Sequence, residues 1–155
     1  MNSKTAAKLL CESADWTLTQ LSVYKGLYIA HMIYLGENDG EPLLNESFEA
    51  WDYGPVIPSL YHKLKIFGNR PVKETIFWNL PIENNNEKIK TIHDTGRHIK
   101  DFSSAILVNF THHQKGAWAR HYRPGVRGTK IPNRDILEEY EWRYNEQDSS
   151  NSSQL

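Results

Sequence analysis

The stretch FEAWDYGPVIPSLYHKLKIFG, residues 48–68, collects several of the most conformationally restricted residues of the chain in a few positions. Pro55 disfavours the α conformation at Gly54, and glycine accepts backbone angles that other residues avoid. Pro58 has no amide hydrogen to donate, which a helix tolerates in its first turn. The stretch therefore predicts a strand, a sharp corner and the start of a helix that ends near Gly68.

In the residues before this corner, the pattern of side chains repeats with a period of two, so that alternate residues face the same side. This pattern is typical of a half-buried strand. We expect one or two short strands within residues 43–53. Trp51 and Tyr53 lie on the same face in this pattern, and we expect both to pack against Leu60 and Tyr61 of the following helix.

The flanking sequence is mostly helical in pattern. Thr19 can cap a long amphipathic run that ends at Gly36, a preferred residue for a helix C-terminus. Other helices are expected after Ser3, Asn86, Ser103 or Ser104, and Asn133, and a third strand within residues 70–80. The sequence thus predicts an α+β fold that is predominantly α-helical. It has about five to six helices and a small antiparallel β-sheet in a single domain, residues 1–144, with a disordered tail, residues 145–155.

Composition excludes several classes of protein. A chain of 155 residues with 39% hydrophobic residues is long enough for one core. The formal net charge of −1 gives no global argument for nucleic acid or membrane binding. The single cysteine, Cys11, is expected to be a small buried apolar residue. No apolar run reaches membrane-spanning length and no signal peptide is evident, so we expect a cytoplasmic protein.

The chain has seven histidines, which raises the question of a metal site. His112 and His113 are adjacent, and adjacent side chains on a helix point in directions about 100° apart. No HExxH or Cys/His spacing is present, and no Ser/His/Asp order indicates a catalytic triad. We therefore expect no metal, no cofactor and no enzymatic activity, and we interpret His112 as a core or loop-anchoring residue beside Trp118.

Four segments occur in a fixed order along the chain: YKGLYIAHMIYL, GEPL, FEAWDYGPV and FTHHQKGAW. Together they resemble the Panacea domain family, whose members are also called SocA-like antitoxins or phage-associated GepA-like proteins. The positions that match the central and C-terminal family motifs are Phe48, Ala50, Trp51, Tyr53, Gly54, Pro55, Val56, Thr111, His112 and Trp118. Earlier matches are Lys25, Leu27, Tyr28, Gly40, Pro42 and Leu43.

The resemblance implies a type II antitoxin, a small protein that inactivates a cognate toxin by binding it directly, often in a prophage-like setting. Such a protein would be a binding module, and Trp51, Tyr53, Gly54 and Pro55 would shape its surface. The candidate contact residues are Tyr61, Lys65, Trp118, Arg120 and Arg123. The alternative is a phage-associated adaptor or scaffold protein whose partner is not a toxin. Nothing in the sequence predicts the oligomeric state.

Charge is distributed unevenly near the C-terminus. Residues 111–134 contain no Asp or Glu but six Lys or Arg residues, interleaved with Trp118 and Tyr122. The loop 115–134 could meet an acidic protein partner, because Arg, Tyr and Trp are common hot-spot residues. It could equally be a solvated loop balanced by the acidic helix that follows, whereas nucleic-acid binding through phosphate contacts and base stacking is the less favoured alternative.

Overall fold

The computed structural model describes residues 1–152, with side chains as far as Asn145. The helices in this part of the chain are α1 Ser3–Ser13, α2 Gln20–Glu37, α3 Pro58–Leu64, α4 Asn86–Ile99, α5 Ser104–Thr111, α6 Ala117–His121 and α7 Asn133–Ser152. The strands are β1 Phe48–Trp51, β2 Gly54–Val56 and β3 Lys130–Ile131. The predicted fold class, a mainly helical α+β domain with a small antiparallel sheet, is confirmed.

Helix α2 is the centre of the domain. It packs against α1, α4, α5 and α7 and against strand β2. Thr19 caps it as predicted, since its side chain accepts a hydrogen bond from the amide of Ser22. Buried residues occur on most of its circumference, as is typical of a helix enclosed by others. The core therefore wraps around α2 rather than lying along one of its faces.

The sheet has the strand order β2-β1-β3, and both pairings are antiparallel. Strands β1 and β2 form a hairpin in which Trp51 pairs with Gly54. The alternation predicted for β1 is confirmed, because Phe48 and Ala50 are buried while Glu49 and Trp51 are only partly buried. Helix α3 begins immediately after β2, with Pro58 in its first turn.

The prediction of a third strand within residues 70–80 is wrong. That segment contains a short 3₁₀ turn, Glu74–Ile76, and the third strand is β3. Pro71 forms an isolated bridge with Thr19 instead of joining the sheet. The edge of β1 is filled by a segment about 80 residues later in the chain, which local sequence patterns do not register.

The C-terminal boundary of α2 also differs from the sequence prediction, and one short helix was not predicted. Helix α2 continues through Gly36 to Glu37, and the reversal falls on Asp39 and Gly40, which both have positive φ. Gly36 is instead a packing position, because a Cβ there would lie 2.0 Å from the Tyr140 ring. Helix α6 was missed, since it falls in the segment expected to be a loop and has only five residues.

Helix α7 continues past residue 144, the predicted end of the folded domain, to Ser152. No Gly or Pro occurs after Pro132 to stop the helix. Residues 153–155 lie outside the described residues, and side chains are not described from residue 146 onward. The tail as a disordered segment of its own therefore stays a prediction.

Candidate partner-binding site

The corner between β1 and β2 is built on an unusual backbone conformation. Gly54 has φ of +113°, a region that residues with a side chain rarely adopt. A Cβ at this position would lie 2.7 Å from Cε of Lys25 and 3.1 Å from Oγ1 of Thr111. Both the conformation and the close packing therefore require glycine in this hairpin.

Lys25 lies directly behind the corner. It is completely buried, and its Nζ donates a hydrogen bond to the carbonyl oxygen of Pro55 at 3.3 Å. Burial lowers the pKa of this ammonium group from 10.5 to about 7. The sequence signal was a lysine within an apolar helical run, but no sequence pattern showed that the side chain points inward.

The second half of the family motif packs against the same corner. The ring of His112 stacks on that of Trp118, with centroids 3.8 Å apart and planes within 3°. Trp118 Nε1 donates a hydrogen bond to the backbone oxygen of Trp51 at 2.7 Å. Burial lowers the pKa of His112, and the nearby charge of Lys25 lowers it further. The structure thus joins residues 48–56 to residues 111–118.

The outer side of the hairpin carries a group of aromatic residues. The rings of Trp51 and Tyr61 meet edge to face at 4.9 Å, and the guanidinium of Arg127 lies 4.4 Å from the centre of the Trp51 ring. Tyr53 is 68% exposed, so it does not pack against Leu60 and Tyr61 as predicted. The reason is that Tyr53 occupies the hairpin turn and projects from the domain.

A surface cavity of about 460 Å³ lies beside these residues. We call it the Trp51 cavity. The residues that line it are Thr19, Gln20, Leu21, Tyr24, Trp51, Asp52, Tyr53, Val56, Tyr61, Gly68, Asn69, Ser104 and Arg127. Ligand pockets commonly combine such an apolar lining with a few polar groups.

The structure separates the contact residues that the sequence suggested. Tyr61 lines the Trp51 cavity, and Lys65 Nζ lies 5.9 Å from the centre of the Tyr61 ring. Trp118 supports Trp51 from behind. Arg120 is engaged elsewhere, since it forms a 2.6 Å ion pair with Glu138 of α7.

Arg123 does not line the Trp51 cavity either. Its Nη1 donates hydrogen bonds to the backbone oxygens of Arg120 and Tyr122. The cations of residues 115–134 therefore have several different partners. Lys115 lies over the Trp142 ring, and Arg134 is 3.7 Å from Asp135.

Comparisons with known proteins agree with this arrangement of motifs. A family model described as "Antitoxin SocA-like, Panacea domain" matches residues 23–119, well over half of the chain. The chain is also 31% identical over 130 residues to a protein named "Antitoxin SocA" from Caulobacter vibrioides (strain NA1000 / CB15N). That alignment covers 76% of this chain and 69% of the relative. This chain belongs to the SocA-like Panacea domain family. No solved structure matches it.

The matched part of the Panacea domain starts in α2 and ends in α6, so β3 and α7 lie outside it. Helix α7 is nevertheless tied to the domain by a buried carboxylate. Glu139 is 1% exposed, although it lies in the acidic helix that follows the basic loop. It accepts hydrogen bonds from Tyr28 Oη at 2.6 Å, the Ala117 amide at 2.9 Å and Arg143 Nε at 2.9 Å.

This carboxylate explains how the short helix α6 is positioned in the Panacea domain. The amide of Ala117 is at the N-terminus of α6, where backbone donors have no partner within the helix. Glu139 supplies the acceptor from α7. Burial and the neighbouring carboxylate raise the pKa of Tyr28 well above its ordinary value, so its hydroxyl remains a donor at neutral pH.

Other chemistry is not evident in the described part of the Panacea domain. Among residues 1–145, no group of three or more His, Cys, Asp or Glu side chains is placed to hold a metal ion. Cys11 is completely buried, and burial raises the pKa of its thiol to about 12. As far as residue 152, none of the helices is long and apolar enough to cross a bilayer.

Proposed function

We propose that this protein is a cytoplasmic type II antitoxin, which neutralises a cognate toxin by direct protein–protein contact and catalyses no reaction itself. Membership of the SocA-like family and the relative named "Antitoxin SocA" support this proposal. The observation that carries it is the outer face of the hairpin, where Trp51, Tyr53 and Tyr61 surround a cavity.

This face has the composition of a protein-binding hot spot. Such hot spots are enriched in Trp, Tyr and Arg, and they are centred on pockets that exclude water. Trp51 contacts both Tyr61 and Arg127, and the exposed Tyr53 lies beside them in the hairpin. Of the contact residues predicted from sequence, the proposal keeps Tyr61 and Lys65 as direct contacts.

The interior of the domain supports this face. Lys25 holds the Pro55 carbonyl, and Trp118 holds the Trp51 carbonyl, so both strands of the hairpin are fixed from behind. A binding surface that is fixed before association loses less conformational entropy when the partner binds. The family motif in this chain therefore suits a supporting frame, and Lys25, which has no exposed surface, suits that role better than chemistry on a substrate.

The proposal is tested by cloning the gene immediately adjacent to this one. The adjacent product is induced alone and then together with this chain, which carries an affinity tag. Growth arrest that is relieved only when the two proteins co-purify is the expected result. Relief without co-purification would contradict direct contact, and an adjacent product that causes no arrest would favour the adaptor or scaffold function instead.

The face is tested with a matched pair of variants. Tyr53→Ala is expected to weaken co-purification at least tenfold, whereas Trp78→Ala is expected to leave it within twofold. The two side chains are 68% and 74% exposed, but Trp78 lies outside the Trp51 cavity. Equal effects of the two variants would show that the hairpin face is not the contact surface.

A further inference from the structure

The Trp51 cavity has an apolar interior. Tyr24 and Val56 are buried residues that line it, and Leu21 and Tyr61 are partly buried. The hydroxyl of Tyr24 donates to Gln20 Oε1 at 2.7 Å, so the polar atom of this ring already has a partner. At about 460 Å³, the cavity falls in the range of roughly 300–1,000 Å³ common for ligand pockets. An apolar side chain is the chemistry that fits this lining.

Two cations lie at this site without an acidic partner. The Arg127 guanidinium lies over the Trp51 ring, and the Lys65 ammonium approaches the Tyr61 ring. Neither forms an ion pair within residues 1–145, where side chains are described. A guanidinium that lies over an aromatic ring retains its N–H donors for a carboxylate.

The carboxylates close to the cavity differ from these cations, because each already accepts a hydrogen bond. Asp52 Oδ1 accepts one from Tyr122 Oη at 2.5 Å, and Glu49 Oε1 accepts one from Trp51 Nε1 at 3.0 Å. These neutral donors hold the two carboxylates in place without removing their charge. The side chains of Arg127 and Lys65, in contrast, have neither a hydrogen bond nor an ion pair within residues 1–145, so their N–H donors are available to a partner.

We propose that the Trp51 cavity binds an acidic segment of the partner protein, which inserts an apolar or aromatic side chain among Leu21, Tyr24 and Tyr61. Carboxylates that flank the inserted side chain pair with Arg127 and Lys65. This inference rests on the proposed function and adds to it the chemistry of the partner. It also assigns the main charged contact to Arg127, one of six Lys or Arg residues between positions 111 and 134.

The geometry favours a protein segment over single-stranded nucleic acid. Base stacking needs a free aromatic face. The Trp51 ring, however, has Arg127 over it and Tyr61 against it. A nucleic-acid site also needs a row of cations that follows the phosphates, and here two cations flank a single surface cavity.

The test uses defined probes and the full chain labelled with ¹⁵N. The first probe is the acetylated, amidated hexapeptide Glu-Glu-Leu-Phe-Glu-Glu. The others are Lys-Lys-Leu-Phe-Lys-Lys and Glu-Glu-Gly-Gly-Glu-Glu with the same blocked ends, and a ten-residue oligothymidylate. We expect the first peptide to shift the indole resonance of Trp51 and to bind at least tenfold more tightly than the other two peptides.

Arg127→Glu is expected to weaken binding of the first peptide at least tenfold. Arg123→Glu is the matched control, because it makes the same change of charge on an exposed arginine that lies outside the cavity. Arg123→Glu should change the affinity for the first peptide by less than twofold. Amide spectra of the free variants establish that both are folded. Asn69→Trp, which places a large ring at the cavity, should also abolish the Trp51 shift.

Several results would overturn the inference. They are no Trp51 shift with the first peptide, equal binding of the basic peptide, equal loss in the two arginine variants, or tighter binding of the oligothymidylate. If any of these results is obtained and the protein still neutralises its toxin, the proposed function stands. Only the binding of an acidic segment is then excluded. Conversely, specific peptide binding without a toxic neighbouring gene would retain the acidic-peptide site and overturn the antitoxin assignment.

Discussion

The ammonium group of Lys25 lies 3.3 Å from the carbonyl oxygen of Pro55, in the interior of the domain and behind the family motif. The pair connects the central helix α2 to the strand that carries the corner glycine. A cation without a carboxylate partner in a buried site is unfavourable, and this is reflected in its pKa of about 7.

Lys25 should make stability depend on pH. Its pKa is about 7 in the folded state and 10.5 as the ordinary value. The unfolded chain therefore binds more protons between these values, and stability rises with pH through this window. The limiting slope is about 1.4 kcal/mol per pH unit, so wild type should gain about 1–2 kcal/mol between pH 7.5 and 9 relative to Lys25→Met. Urea unfolding at several pH values measures this difference.

The comparison with Lys25→Met removes the contributions of other groups. The raised pKa of Cys11 and Tyr24 makes stability fall as pH rises through their ordinary values, and both variants share this effect. Removal of the Lys25 charge should also raise the pKa of His112, which NMR titration can follow. Parallel pH profiles for the two proteins would contradict a buried lysine of low pKa.

Gly54→Ala should destabilise the protein by about 2–4 kcal/mol. The alanine would have to adopt φ of +113° and place its Cβ 2.7 Å from Cε of Lys25, which is enclosed and cannot move away freely. Gly125→Ala is the control, because Gly125 has φ of +76° with open space around it. This variant should lose about 1 kcal/mol of stability, because it has the unfavourable backbone conformation but no steric clash. Equal losses in urea unfolding would show that packing at the corner is loose.

Trp118→Phe should cost about 1–2 kcal/mol of stability. The change preserves an aromatic ring for His112 to stack on but removes the donor to the Trp51 carbonyl oxygen. Trp78→Phe serves as the control, because that side chain is 74% exposed and the change should stay within about 0.5 kcal/mol. If the two variants unfold at the same urea concentration, the Trp118–Trp51 hydrogen bond contributes nothing to stability.

Tyr28→Phe should cost about 1.5–3 kcal/mol, because it deletes a hydrogen bond to the buried carboxylate of Glu139. For a domain of this size, each kcal/mol lowers the melting temperature by about 2–4 °C. Tyr53→Phe loses the same hydroxyl at an exposed position and should leave the melting temperature nearly unchanged. A normal melting temperature for Tyr28→Phe would mean that Ala117 and Arg143 suffice to stabilise the Glu139 carboxylate.

Much of the local structure around the motif was predictable. Pro58 marked the start of α3, Thr19 marked the start of α2, and the alternation of Phe48 and Ala50 marked β1. These features follow from interactions between residues a few positions apart, which the sequence records directly. The same reasoning indicated that Gly54 adopts an unusual conformation, and its φ of +113° confirms this.

The candidate site was only partly predictable. Tyr61 and Lys65 were selected from sequence and lie at the Trp51 cavity or beside it, while Arg120 and Arg123 do not line it. Arg127 was one cation among several in a segment without acidic residues. Which of these cations has a carboxylate partner depends on where α7 packs, and the composition of the loop carries no such information.

The helical character of the chain, the hairpin corner and the family of the protein all follow from its amino-acid sequence. The completion of the sheet by β3, the inward direction of Lys25 and the hydrogen bond from Trp118 to Trp51, across 67 positions of sequence, became apparent only in the folded domain. This division arises because turns and caps depend on near neighbours. Burial and long-range hydrogen bonds depend on which distant segments fill the same space, and that is settled when the core packs around α2.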